Sequence, residues 1–296
     1  MARIAVVTDS TASLPPEMYE RYGIFMVPYY VHVEGRSHRD MVDLLPEAFN
    51  RYLSELPDGA ELPRTANPSP GDYVRAYGQA AEDADEIVSF HMTSKGSGAY
   101  GCAQVARDML GEELRRVRIH LVDTRNVSMG HGWLALQAAR AAQAGANLEE
   151  IMGLVKRALP RVRMLQTADT LRYLYMGGRI GKAQHLVGSL LNIRPLITME
   201  DGVIGTLGVA RTRERALERI AELLGQAVSA GEAVRVALTH AAARADAERL
   251  LALARKKARV VETLFCDLSP ALAVHSGPGT VGLCYYPEEG ASAATP

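Results

Sequence analysis

Hydroxyl and carboxylate side chains gather in three short segments of the first half of the chain: Thr8-Asp9-Ser10, Thr93-Ser94-Lys95-Gly96-Ser97-Gly98 and Asp123-Thr124. Each follows an apolar run that reads as a strand and precedes a helical pattern. In an open parallel sheet such positions meet at the carboxyl edge, where ligands bind. Hydroxyls and free N–H groups at helix N-termini make a site for an anion there. Taken singly, Ser, Thr and Asp are also ordinary helix caps. Neither the phosphate loop G-x-x-x-x-G-K-[ST] nor the dinucleotide fingerprint G-x-G-x-x-G occurs, so no nucleotide motif identifies the anion.

Three further segments carry chemistry. Arg64–Asp72 is a stiff polar loop in which Pro68 and Pro70 restrict the backbone and Thr65 and Ser69 offer hydroxyls. In Tyr175–Gly181 three glycines surround Arg179 and ask for backbone angles that expose it. Arg211-Thr212-Arg213 ends a predicted strand, placed either in one basic patch with Arg179 or in plain solvent. Last, the apolar run Ala271–Val274 delivers His275 and Ser276 to a Gly277-Pro278-Gly279 turn. A neutral imidazole there suits a carboxylate; a loop histidine satisfied by backbone fits the spacing equally well. Ser97 or Ser94 with His275 also raises nucleophilic catalysis of acyl-ester hydrolysis. Against it stand the lack of a G-x-S-x-G elbow and of an evident orienting acid. No metal motif or cofactor fingerprint is present.

The elements that must position these residues alternate. Strands are predicted at Ile4–Val7, Val27–Val33, Glu86–Met92 and Val117–Val122, with helices at Pro46–Leu56, after the loop Arg64–Gly71 to about Ala84, after Thr93–Gly98 to near Gly111, and at His131–Ala144. That order implies right-handed crossovers and a mostly parallel sheet with flanking helices. Leu148–Leu159 reads as a helix joining two domains. Beyond it, Ile193–Met199 and Val203–Ala210 flank a Glu200-Asp201-Gly202 hairpin turn. Further strands and helices then give a mixed sheet with helices. The fold class is therefore α/β, with an N-terminal domain at 1–158, a C-terminal domain at 159–288 and a frayed tail at 289–296. A chain of 296 residues fits two domains. With 48% apolar residues, 23% charged residues and a net charge of −1, it buries a sizeable core, which excludes disorder, collagen and a disulfide scaffold. The near-zero charge weighs against nucleic acid, and no apolar run reaches membrane-spanning length. The three cysteines are expected to be buried free thiols, and the compartment the cytoplasm.

Taken in order, Val7–Ser10, Thr65–Ser69, Thr93–Tyr100, Gly177–Ile180 and His275–Gly279 resemble the motifs of the DegV family, over nearly the whole chain. The departures are mild: Ala66-Asn67 for Ser-Gln, Thr93 for Ser, Gly96 for Leu and Ala99 for Thr. The resemblance implies a non-enzymatic binder of long-chain fatty acids. It would present the acyl carboxylate to a separate ATP-using fatty acid kinase. It places the carboxylate-binding groups on Thr65, Ser97 and the neighbouring Ser94, and on His275 with Ser276 beside it. Kinase-docking arginines fall on Arg179 and Arg211. Leu171, Tyr173, Leu174 and the stretch Leu186–Leu191 are expected either to line an acyl tunnel or to be plain core.

Overall fold

The computed structural model describes residues 2–57, 59–111, 116–184, 193–229 and 231–288. The first half runs β1 (Ile4–Asp9), α1 (Pro16–Tyr22), β2 (Ile24–Val27), β3 (Tyr30–Val33), β4 (Arg36–Arg39), α2 (Pro46–Glu55), β5 (Arg64–Ala66), α3 (Pro70–Ala81), β6 (Glu86–His91), α4 (Ala99–Met109), β7 (Arg118–Asp123), α5 (Met129–Gln143) and α6 (Leu148–Ala158). Proline opens α1, α2 and α3, where its missing N–H has no intrahelical partner to lose. Reciprocal side-chain caps fix the starts of α3 (Ser69 with Asp72) and α6 (Asn147 with Glu150). Strands β2-β1-β6-β7 form a parallel sheet.

The second half runs β8 (Arg163–Thr167), α7 (Arg172–Met176), β9 (Arg194–Glu200), β10 (Val203–Ala210), α8 (Arg213–Ala227), β11 (Ala233–His240), α9 (Arg244–Ala254), β12 (Arg259–Asp267), α10 (Pro270–Ser276) and β13 (Val281–Pro287). Its sheet, in the order β10-β9-β8-β13-β11-β12, is mixed: β11 and β12 are parallel and the other neighbours antiparallel. Helix α5 packs on β1 and on β13, between the two sheets. It is therefore buried on every side from Met129 to Ala139. At its centre Trp133 donates its indole N–H to the Cys284 carbonyl at 3.0 Å. Gly132 lets this helix back onto the loop after β1, since a Cβ there would crowd the Ala12 carbonyl.

Three local expectations are corrected. The single strand expected at Val27–Val33 breaks at Pro28, which has no N–H for a ladder. Residues before it join the parallel sheet, and those after it form a separate antiparallel sheet, β4-β3-β5. The segment expected as a stiff loop from Arg64 begins with strand β5. The apolar run Ala271–Val274 lies in helix α10, too short to show a period. This helix packs back on α2, β3 and β5 of the first half. Its Ala271, Ala273 and Val274 share a core with Val7, Val27, Phe49 and Tyr77. Segment 186–191 and the tail from 289 lie outside the described residues. Among the described residues no helix is long and apolar enough to cross a membrane.

Candidate functional site

A cavity of about 380 Å³ lies where the parallel sheet, the mixed sheet and α10 converge. Its walls are largely apolar: Met92 and Val127 from the first half, Met164, Leu174, Ile197 and Met199 from the second. One group of polar residues comes from three separate elements. Strand β5 supplies Thr65, the loop before α4 supplies Ser97, and the last turn of α10 supplies His275 and Ser276. Thr65 Oγ1 lies 2.9 Å from His275 Nε2. Ser97 Oγ lies 2.7 Å from the Tyr29 hydroxyl and accepts the Ala99 N–H at 3.2 Å. Ser276 Oγ and His275 Nδ1 are buried without a hydrogen-bond partner among the described residues.

Arg179 lines the same cavity and donates to the Gly177 carbonyl at 2.8 Å. The His275 ring presses on Gly177, where any Cβ would strike Nδ1. Behind the histidine, half-buried Arg213 donates to the Gly279 carbonyl at 2.5 Å and to Asp246 at 2.7 Å, fixing the turn that follows α10. Arg213 is thus occupied in holding that turn and does not extend a patch around Arg179. Arg211 is exposed beyond the end of β10 and is not part of the lining.

Ser94 is not brought to the cavity. Its side chain is exposed, and its hydroxyl donates to the Asp123 carboxylate at 2.6 Å. Nor do Thr8, Asp9 and Ser10 form an open anion site. All three are fully buried, because α5 and α10 cover the sheet edge there. Their polar groups are spent on each other and on neighbours. Thr8 Oγ1 meets His131 Nε2 at 2.8 Å; Asp9 accepts the N–H groups of Thr11 and Met92. Ser10 donates to Asp40 at 2.6 Å. Asp40 also accepts the Ala271 N–H at 3.0 Å, tying the start of α10 to the first half.

A profile described as "Uncharacterised protein, DegV family" matches residues 3–288. A DegV domain-containing protein of Deinococcus radiodurans is 35% identical over 289 residues, covering 96% of this chain and 98% of its own. The chain is a member of the DegV family. Among solved structures, "Fatty Acid Binding of a DegV family Protein from Thermus thermophilus" superposes with a TM-score of 0.88 at 32% identity, covering 97% of this chain and 100% of that one. A stearic acid-binding protein of Eubacterium ventriosum gives a TM-score of 0.87 at 25% identity, covering 97% and 98%.

In this DegV protein the charged side chains lining the cavity are Arg179 and Lys95, and the other polar groups are neutral. Burial, with the Arg179 guanidinium nearby, pushes His275 down to about 4. Burial likewise holds the Tyr29 phenol well above its usual range. The end of the cavity therefore offers hydroxyls beside a neutral imidazole. Nucleophilic chemistry needs a serine on a base and an acid behind the base. Here Ser97 is paired with Tyr29, Ser94 with Asp123, and His275 with Thr65.

No sequence motif marks Tyr29 or Asp40 as part of this arrangement. Tyr29 follows Pro28 with no motif around it, and both act through contacts distant in sequence.

The buried histidines set the direction of acid lability in this DegV fold. Burial pushes His91 down to about 3 and His275 to about 4, and depresses His131 as well. In the unfolded chain these groups protonate near their ordinary value of about 6.5. Below that, the unfolded state binds more protons, so their stabilising contribution is complete above about pH 6.5 and fades as pH falls toward about 4. Asp40 acts in the opposite sense. Burial raises its carboxyl to about 6, so the native state binds its proton first. With His240, also depressed by burial, four histidines against one carboxyl leave a net loss on acidification. Urea midpoints should fall between about pH 7 and pH 5, and His275→Gln should fall less over the same range. Equal slopes in parent and variant would show that His275 takes up its proton in the native state as readily as in the unfolded one.

Proposed function

We infer that this protein binds a long-chain fatty acid in the cavity, with the carboxylate at Thr65, His275, Ser276 and Ser97. In this reading it presents that carboxylate to a separate ATP-dependent fatty acid kinase and performs no turnover itself. The observation that carries the reading is the convergence of hydroxyls from β5, α10 and the loop before α4, with the neutral His275 ring, at one end of a cavity whose remaining walls include Met92, Met164, Leu174, Ile197 and Met199. Its 380 Å³ falls within the range of about 300–1,000 Å³ usual for small-molecule sites. An acyl tail supplies affinity at about 0.8 kcal/mol per buried CH₂, while the polar end fixes orientation. With Nε2–H of His275 donating to Thr65 Oγ1, the Thr65 proton is left for the carboxylate. Neutral donors hold a carboxylate without neutralising it, which keeps an oxygen available to a phosphoryl donor. Fatty-acid binding by the Thermus and Eubacterium relatives supports the ligand class.

Native mass spectrometry and lipid extraction of freshly purified protein should find about one long-chain fatty acid per chain. Failure to find it, together with no uptake of added oleate or palmitate, would overturn the reading. The presenting role is tested with a cognate kinase and ATP. Arg211→Glu, at a residue outside the lining, should keep fatty-acid affinity and lose most acyl phosphate formation, more so at low salt where screening is weak, whereas Arg179→Glu, in the lining beside His275, should weaken binding as well. Parental rates of phosphorylation would remove these arginines from the handover.

A further inference from the structure

Two polar side chains enter the cavity from walls that the carboxylate cluster does not use. Gln166 sits on β8, paired between Gly282 of β13 and Ile197 of β9. Successive residues of a strand face opposite ways, so Gln166 shares the cavity face with Met164 and, across the ladder, Ile197. A strand buried on both faces is ordinarily apolar throughout. Gln166 breaks that pattern while remaining only 5% exposed. Its side chain lines the cavity.

Ser128 is the second group. It precedes α5 with φ 52°, an unfavourable angle for any residue with a Cβ, and does not cap the helix. It is 1% exposed, lines the same cavity, and its hydroxyl has no partner among the described residues. The Ser128 hydroxyl, buried without a partner among the described residues, is costly unless a ligand or water group completes it, and the Gln166 side chain lines the same cavity. A plain alkyl chain offers nothing to either.

Building on the fatty-acid reading, we propose that the preferred ligand carries a hydroxyl group along its acyl chain, hydrogen-bonded by Gln166 and Ser128. Sites that hydrogen-bond a substrate hydroxyl discriminate strongly against the analogue lacking it, because their own polar groups are then stranded. The chain hydroxyl donates to the Gln166 carbonyl or accepts from its NH₂, and Ser128 serves the remaining valence.

Delipidated protein should be titrated with stearate and with a positional series of monohydroxystearates, read by displacement of a fluorescent fatty acid. At least one isomer should bind about tenfold or more tightly than stearate. Gln166→Leu should abolish or invert that preference by tightening stearate and weakening the hydroxy acid. Ser128→Gly suits the positive φ, removes the hydroxymethyl group, and should reduce the preference in a variant whose fold is not at risk. Stearate binding as tightly as every isomer, or a preference unchanged in both variants, would overturn the proposal with fatty-acid binding intact. Failure of every acid, stearate included, would overturn the fatty-acid reading itself and this proposal with it.

Discussion

Replacing Thr65 by valine should weaken binding of a long-chain fatty acid about ten- to a hundredfold while leaving the fold intact. The substitution keeps the β-branched shape that suits β5 and removes only the hydroxyl. A hydrogen bond to a charged group contributes about 1.5–3 kcal/mol, which is the stated range in affinity. Thr65 is also the partner of His275 at 2.9 Å, so its loss leaves the imidazole without the group that orients it. Ser97→Ala should cost less. Its oxygen is already shared with the Tyr29 hydroxyl and the Ala99 N–H, and part of what it gives the ligand is taken from them. Isothermal titration of delipidated parent, Thr65→Val and Ser97→Ala with oleate, alongside thermal melts, measures both effects. Parental affinity in Thr65→Val would move the carboxylate to another part of the cavity.

Gly277→Ala should be the most damaging single change near the site. Gly277 ends α10 at φ 77°, ψ 164°, a conformation open almost only to glycine. A Cβ built there would fall within the Tyr173 ring, so α10 and α7 could not keep their present contact. Strain and overlap together should cost about 2–4 kcal/mol, or about 4–8 °C in melting temperature for a chain of this size. Because His275 and Ser276 immediately precede it, fatty-acid affinity should fall with stability. Gly178→Ala is the control. Its φ of 66° is also positive, yet nothing lies within 4 Å of the added Cβ, so only the backbone cost of about 1 kcal/mol remains. Equal melting temperatures for the two variants would show that α7 yields freely to α10.

Alternating apolar runs, proline at three helix starts and the Glu200-Asp201-Gly202 turn were enough to derive most elements and the α/β class, because each of those signals acts within a few residues. The five motifs, read as a family resemblance, singled out Thr65, Ser94, Ser97, His275, Ser276 and Arg179, and the cavity lining contains all of them but Ser94. What no local pattern contains is the direction in which a polar side chain is spent. Thr8-Asp9-Ser10 and the loop from Thr93 carry the same residue types at equivalent ends of neighbouring parallel strands. Yet α5 and α10 bury the first, so its groups must find partners within the protein, while the second keeps Ser97 at the cavity and turns Ser94 to Asp123. The same holds for Asp40 and Ala271, 231 positions apart, and for Thr65 and His275, 210 apart. Helix α10 is short and weakly patterned, and its place depends on a core it shares with residues from the opposite end of the chain. Burial of an apolar face is nearly indifferent to which partner covers it, whereas a hydrogen bond between two side chains requires one geometry. The composition of the loops was thus legible in the sequence, and which of them face the ligand was decided by how the two sheets and α10 close on one another.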